Sequence, residues 1–159
     1  MRMSARDSVL TGSAGEHFVL YKLHRAGILA AQSPAGARDA DVLVFNDLGL
    51  GKRIQVKTRT YGPDGGWHMR MKHEQMTDPG LVYAFVDLEP EPPVVYLVPS
   101  VTVAEVLARS HQAWLAVPGK TRPHADHPMR RLLPHYSFAV EGYSDRWLDQ
   151  YRDRWDLLD

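Results

Sequence analysis

Three side chains in this sequence are of the right types and spacing to do chemistry together. Asp41 heads the apolar run Asp41-Val42-Leu43-Val44-Phe45, and Gln55 and Lys57 lie two residues apart in Arg53-Ile54-Gln55-Val56-Lys57-Thr58. A carboxylate and an amide carbonyl are hard oxygen donors of the kind that Mg²⁺ or Mn²⁺ accepts, with several waters kept in a near-octahedral shell. The Val56 backbone carbonyl is a third candidate oxygen. The Lys57 ammonium can position an attacking water, help deprotonate it, or offset charge growing on a phosphate. The metal would lower the pKa of its water and polarise the phosphoryl oxygen. The chemistry indicated is phosphodiester hydrolysis.

Those groups must be positioned by two neighbouring strands. Strands are expected at about 40–46 and 52–59, and Asn46-Asp47-Leu48-Gly49-Leu50-Gly51 between them is rich in turn residues. With the turn centred near Leu48, Phe45 pairs with Gly51, Leu43 with Arg53 and Asp41 with Gln55. Cross-strand partners share a face, so Asp39, Asp41, Gln55, Lys57 and Arg59 fall on one side. Ala40, Val42, Val44, Ile54 and Val56 fall on the other. A slip of one residue would mix the two sets. A plain amphipathic hairpin with a solvated polar face gives the same pattern, and spacing alone leaves both readings open. Glu16, Val19, Leu20, Leu23 and Gly27 follow helical spacing, which aims Glu16 toward the sheet as a further metal ligand. Ser13-x-x-Glu16 also reads as a capping box, and both roles stay open.

The remaining elements follow from local signals. Residues 1–11 read as a flexible arm, followed by a helix from Ser13 to about Ala26 with Gly27 as its stop. A short strand is expected at 28–32, a loop at 33–38 and a glycine-rich loop at 61–66. The alternation of Trp67-His68-Met69-Arg70-Met71-Lys72 predicts a half-buried strand, with a turn of helix at 73–76. Leu81–Leu88 and Val94–Val98 read as more buried strands. Ser100 is placed as the cap of a helix running to about Ala116. Residues 117–135 read as an irregular loop, and Trp147, Leu148, Tyr151, Trp155 and Leu158 predict an amphipathic closing helix over 144–158. The order gives an α/β chain of mixed α+β type, with a central mixed sheet flanked by helices in a single domain over 1–159.

Bulk properties narrow the function. The chain has 159 residues, enough for one proper core. It has 19 basic and 19 acidic residues, so no global basic field exists and nucleic-acid binding must rest on local patches. It has no cysteine, which excludes disulfides, thiolate zinc sites and thiol nucleophiles. No apolar stretch approaches a membrane span and no signal peptide is visible, so no membrane partner and a cytoplasmic location are expected.

A helix carrying Gly15-Glu16, then Asp41 ahead of an apolar strand, then Gln55-x-Lys57 resembles the PD-(D/E)XK nuclease superfamily. This is the restriction-endonuclease-like group that includes archaeal Holliday-junction resolvases and some homing endonucleases. The resemblance covers about residues 12–98. It implies an α-β-β-β-α-β core, with a metal at a cleft between strand ends and the first helix. Asp41 matches the motif aspartate, Lys57 the motif lysine and Glu16 the acid of the first helix. Ala40 stands where the family has proline, Asp39 is a nearby rival to Asp41, and Gln55 replaces the usual acid. Some superfamily members resemble this chain in carrying glutamine there.

The sequence therefore supports a metal-dependent endonuclease acting on DNA, with Mg²⁺ or Mn²⁺ held by Asp41, Gln55 and Glu16 and served by Lys57. Arg59, His68, Arg70 and Lys72 are the candidate phosphate contacts. The alternative is a catalytically inactive nucleic-acid-binding or protein-interaction module on the same fold. Lys120, Arg122, His124, His127, Arg130 and Arg131 form a second basic stretch, read either as a backbone grip or as a solvated loop. His124 and His127 lack the third ligand that zinc would need. The closing helix offers a surface for a homodimer, which the sequence leaves open.

Overall fold

The hairpin that carries Asp41, Gln55 and Lys57 is the centre of the molecule. In this computed structural model, residues 5–60 and 65–159 are described, without the side chains of Ala5 and Arg6. Strands β2 (Val42–Asn46) and β3 (Gly49–Arg59) pair antiparallel. Leu43 faces Arg53 and Val42 faces Ile54, the register expected from the sequence. Nearer the turn the register shifts, and Phe45 meets Leu50 in place of Gly51. The reason is a tighter turn than expected. Asp47 and Leu48 alone close the hairpin, Gly49 sits at φ 111, and β3 absorbs one extra residue.

The hairpin belongs to a five-stranded mixed sheet. Its strand order is β1 (Ala30–Gln32), β2, β3, β5 (Leu81–Asp87), β6 (Val94–Pro99), with β3 and β5 parallel and the other pairs antiparallel. A parallel pair requires a crossover. The chain makes it through β4 (Trp67–Arg70) and a 3₁₀ turn (Met71–Gln75), where the family pattern implies a helix. The strand expected over 67–72 thus exists but leaves the central sheet. It pairs with β7 (Met129–Leu132) in a separate two-stranded ribbon. The segment 117–135 is accordingly less irregular than its composition suggests. Arg130 and Leu132 alternate inward, and that burial holds β7 in place.

Helix α1 (Ala5–Arg25) covers one face of the sheet, with Val19 and Leu23 packed among Val42, Val44, Ile54, Val82 and Ala84. Helix α2 (Ser100–Ala116), β4 and β7 cover the other, placing Trp67, Met69, Val103, Leu107 and Leu132 over Tyr83 and Phe85. Residues Leu81 to Val86 of β5 are all buried, as befits a strand covered on both sides. Among the described residues, no helix is long and apolar enough to cross a membrane.

Three terminal signals fold differently from their sequence reading. Helix α1 starts at Ala5, so residues 5–11 are not an arm, and Met1–Ser4 lie outside the described residues. Ser13 is then in mid-helix and no capping box can form there. The closing helix over 144–158 is instead two 3₁₀ turns, Trp147–Tyr151 and Trp155–Leu158. Between them the Asp153 N–H donates to Val95 O at 3.0 Å and Arg152 bridges to Tyr96, so the backbone caps the β6 edge instead of coiling. Trp147, Leu148 and Leu158 are buried nonetheless. Finally, α2 is preceded by Pro99 as its cap residue, and Ser100 Oγ donates to Asp78 O at 2.5 Å.

Candidate active site

Asp41 occupies the place where β2 gives out beside β3. Its N–H donates to Ile54 O at 2.8 Å, and its carbonyl accepts from Ser33 N–H at 2.9 Å. Its carboxylate turns toward β3, where Oδ2 accepts from Val56 N–H at 2.8 Å. A residue in a strand points its N–H and C=O to the same edge, so the Val56 carbonyl also faces this side. Asp39, the rival acid, is held at φ 57 outside the strand and pairs with Lys72 at 3.6 Å. The structure thus engages the two acids differently, with Asp41 fixed to β3.

Gln55 and Lys57 follow on the same face of β3, opposite Tyr83 and Phe85 of β5. Gln55 Oε1 is buried and has no hydrogen-bond partner. A buried acceptor in that state costs about 1–3 kcal/mol, so the amide oxygen is poised for something other than protein. Burial lowers the Lys57 pKa from its ordinary value. The Asp41 carboxylate pulls it back up, Lys72 and Arg70 push it down, and Asp39 raises it. The polar face of the hairpin is therefore not a solvated surface, because α2, β4 and β7 roof the same side of the sheet.

Glu16 reaches this region from α1. The Cβ of any residue at position 15 would stand 1.9 Å from Thr58 Oγ1, so only glycine lets the helix backbone lie against β3 here. Glu16 Oε2 accepts from Gln32 Nε2 at 3.3 Å. Burial raises the Glu16 pKa, and the nearby Asp41 charge raises it further, while Gln32 and His17 lower it. The Glu16 and Asp41 carboxylates and the unpartnered Gln55 amide oxygen are hard oxygen groups of the kind a divalent cation accepts. Among the described residues no group of three His, Asp or Glu forms a metal cage. The oxygen groups that the fold gathers in this region are the Asp41 and Glu16 carboxylates, the Gln55 amide oxygen and the Val56 carbonyl.

Of the candidate phosphate contacts, His68, Arg70 and Lys72 line a cleft of about 400 Å³ with Lys57. Arg59 does not join them. Its guanidinium pairs with Asp87 at 2.7 Å and Glu89 at 3.4 Å and lies over the Trp67 ring, because Asp87 is its partner in the β3–β5 register. The basic stretch at 120–131 is also partly engaged. Arg130 is buried against Glu74, and His124 and His127 pack on Trp114 with ring centroids 4.0 and 5.3 Å away. The cleft also contains His73, which the sequence reading assigns only to a turn. Nothing in the local sequence distinguishes it, since the crossover alone brings it next to Lys57.

No protein-family model matches the chain, and no curated protein matches it. Among solved structures it is similar to a bacterial homing endonuclease, I-Ssp6803I, with a TM-score of 0.51 and 16% sequence identity, over 98% of this chain and 91% of that one. At that identity the likeness is one of fold alone: a mixed sheet flanked by helices.

Proposed function

We propose that the protein is a metal-dependent nuclease that hydrolyses phosphodiester bonds in DNA. The observation that carries this reading is the unpartnered, buried Gln55 Oε1, set in β3 beside the Asp41 carboxylate and two residues from Lys57. The likeness in fold to a homing endonuclease lends support. Asp41, Glu16, Gln55 and the Val56 carbonyl would hold Mg²⁺ or Mn²⁺. When bound, the ion supplies an acidified water and a polarised phosphoryl oxygen.

The protein's own groups do the rest. Val56 N–H fixes one oxygen of Asp41 and leaves the other for ligation. Lys57 has its proton affinity lowered by burial, which suits a group that orients the attacking water and takes part in its deprotonation. Its charge also offsets that gathering on the phosphate. Arg70 and Lys72 at the cleft supply attraction for the DNA backbone that the neutral chain as a whole lacks.

The test is cleavage of plasmid and linear duplex DNA in Mg²⁺ or Mn²⁺. Activity lost in both Asp41→Ala and Lys57→Ala supports the reading. DNA binding without metal binding or cleavage would favour the inactive-module alternative, for which the replacement of the family's acid by Gln55 is the motivating feature.

A further inference from the structure

The cleft beside Lys57 is formed by Lys57, His68, Arg70, Lys72 and His73 with two methionines, and among the described residues no carboxylate lines it. Its polar groups are suited to an anion. His73 differs from the others in being only 2% exposed. Its Nδ1 lies 2.9 Å from Arg70 N and 3.1 Å from Arg70 O. A backbone N–H can only donate, so Nδ1 is the acceptor and the neutral ring carries its proton on Nε2. That Nε2 is buried and has no partner. A native protein rarely leaves a buried donor unpaired unless something else completes it. The ring stands edge-on to Tyr83, with centroids 6.0 Å apart. Tyr83 is in turn the β5 partner of Gln55. Two orphaned polar atoms, one donor and one acceptor, therefore flank a single tyrosine on the face that holds Lys57.

Resting on the nuclease reading above, we propose that His73 is a substrate-binding residue whose Nε2–H donates to a non-bridging phosphate oxygen of the DNA strand entering the cleft. Lys57 lies beside it, and Arg70 and Lys72 stand on the exposed side. A turn-capping role explains Nδ1 but leaves Nε2 without a purpose. Burial and the Lys57 and Lys72 charges hold the ring neutral, against weaker pulls from the Arg70 backbone and Asp39. The ring therefore contributes a directed hydrogen bond, and the lysines contribute the charge.

The experiment titrates ¹⁵N-histidine-labelled full-length protein with a duplex DNA oligonucleotide in EDTA, following the His73 ring nitrogens. The Nε2 resonance is expected to move along the same saturation curve as overall binding. His73→Asn keeps an amide acceptor near the Nδ1 position and removes Nε2. It is expected to melt close to the parent and to bind DNA roughly 10- to 100-fold more weakly, the effect of losing one hydrogen bond to a charged group. An Nε2 resonance that DNA leaves unmoved, or parental affinity in His73→Asn, overturns the proposal. The two readings fail separately. A parent that never cuts DNA, with Nε2 still responding, removes the nuclease and keeps the contact. A parent that cuts, with His73→Asn cutting at the same kcat and KM, does the reverse.

Discussion

Asp41 Oδ2 accepts the Val56 N–H at 2.8 Å, so the acid of one strand is tied to the backbone of the next between Gln55 and Lys57. This bond continues the β2–β3 ladder past the end of β2 with a side chain. It fixes the spacing of the three groups more tightly than either strand alone does.

The bond separates two substitutions at the same position. Asp41→Asn can still accept from Val56 N–H but loses the charge, so it should melt within about 1 kcal/mol of the parent while metal affinity and cleavage fall by roughly 100-fold or more. Asp41→Ala leaves the N–H without an acceptor and should cost a further ~1–2 kcal/mol. Calorimetric metal titration and thermal melts check both; equal melting of the two variants would remove the role given to this bond.

Gln55→Glu restores a third carboxylate next to Asp41 and Glu16. Mg²⁺ binding should tighten about 10-fold or more, since hard cations gain from each added ligand charge. Without metal the extra charge repels its neighbours, so the melting temperature should fall in EDTA and rise with added Mg²⁺. Unchanged metal affinity would show that the amide oxygen is not a ligand.

Gly15→Ala tests the approach of α1 to β3. The added methyl meets Thr58 Oγ1, so the helix must shift and carry Glu16 with it. Despite alanine's better helix propensity, the variant is expected to lose about 1–3 kcal/mol through overpacking and to bind metal more weakly. Gly15→Ala combined with Thr58→Ser should recover part of the loss by removing the methyl that is also in the way. A variant as stable and as active as the parent would contradict the packing described.

The pH dependence of folding should carry the mark of His73. Its pKa in the fold is lowered to about 4 from an ordinary value of 6.5, by burial first and then by Lys57 and Lys72. Between those values the unfolded chain binds the proton and the folded one does not, so stability rises with pH. The stabilising effect is complete above about pH 6.5 and is lost as pH falls toward 4, on the order of 3 kcal/mol. Denaturant unfolding from pH 7 to pH 4 should show that slope in the parent and a shallower one in His73→Asn.

Metal binding should weaken as the solution becomes acidic, and Glu16 sets part of that response. Its pKa is raised by burial and by Asp41, so a proton competes with the cation at a higher pH than for an ordinary glutamate. In Glu16→Gln the dependence should flatten and the affinity at neutral pH should drop. Metal titrations at several pH values check this, and identical curves for parent and variant would place Glu16 outside the shell.

The sequence alone determined the hairpin and what it carries. Period-two alternation in Asp41–Phe45 and Arg53–Arg59 specified the faces, because a register slip would have buried Asp41, Gln55 and Lys57 among the valines. It also determined the apolar stripe of α1 and the buried runs of β5 and β6. Tertiary structure decided the rest, since those features depend on partners distant in the chain. From Thr11 onward α1 packs on β3, and the helix runs through Gly12 and Gly15 where local propensity placed no helix or only its beginning. Arg59 pairs with Asp87 only because β3 and β5 run parallel in that register. The aromatic spacing near the C-terminus is helical, yet the free edge of β6 takes that backbone instead. His73 reaches Lys57 only through the crossover of β4, because burial and electrostatic neighbourhood belong to the folded arrangement and not to any local pattern of residues.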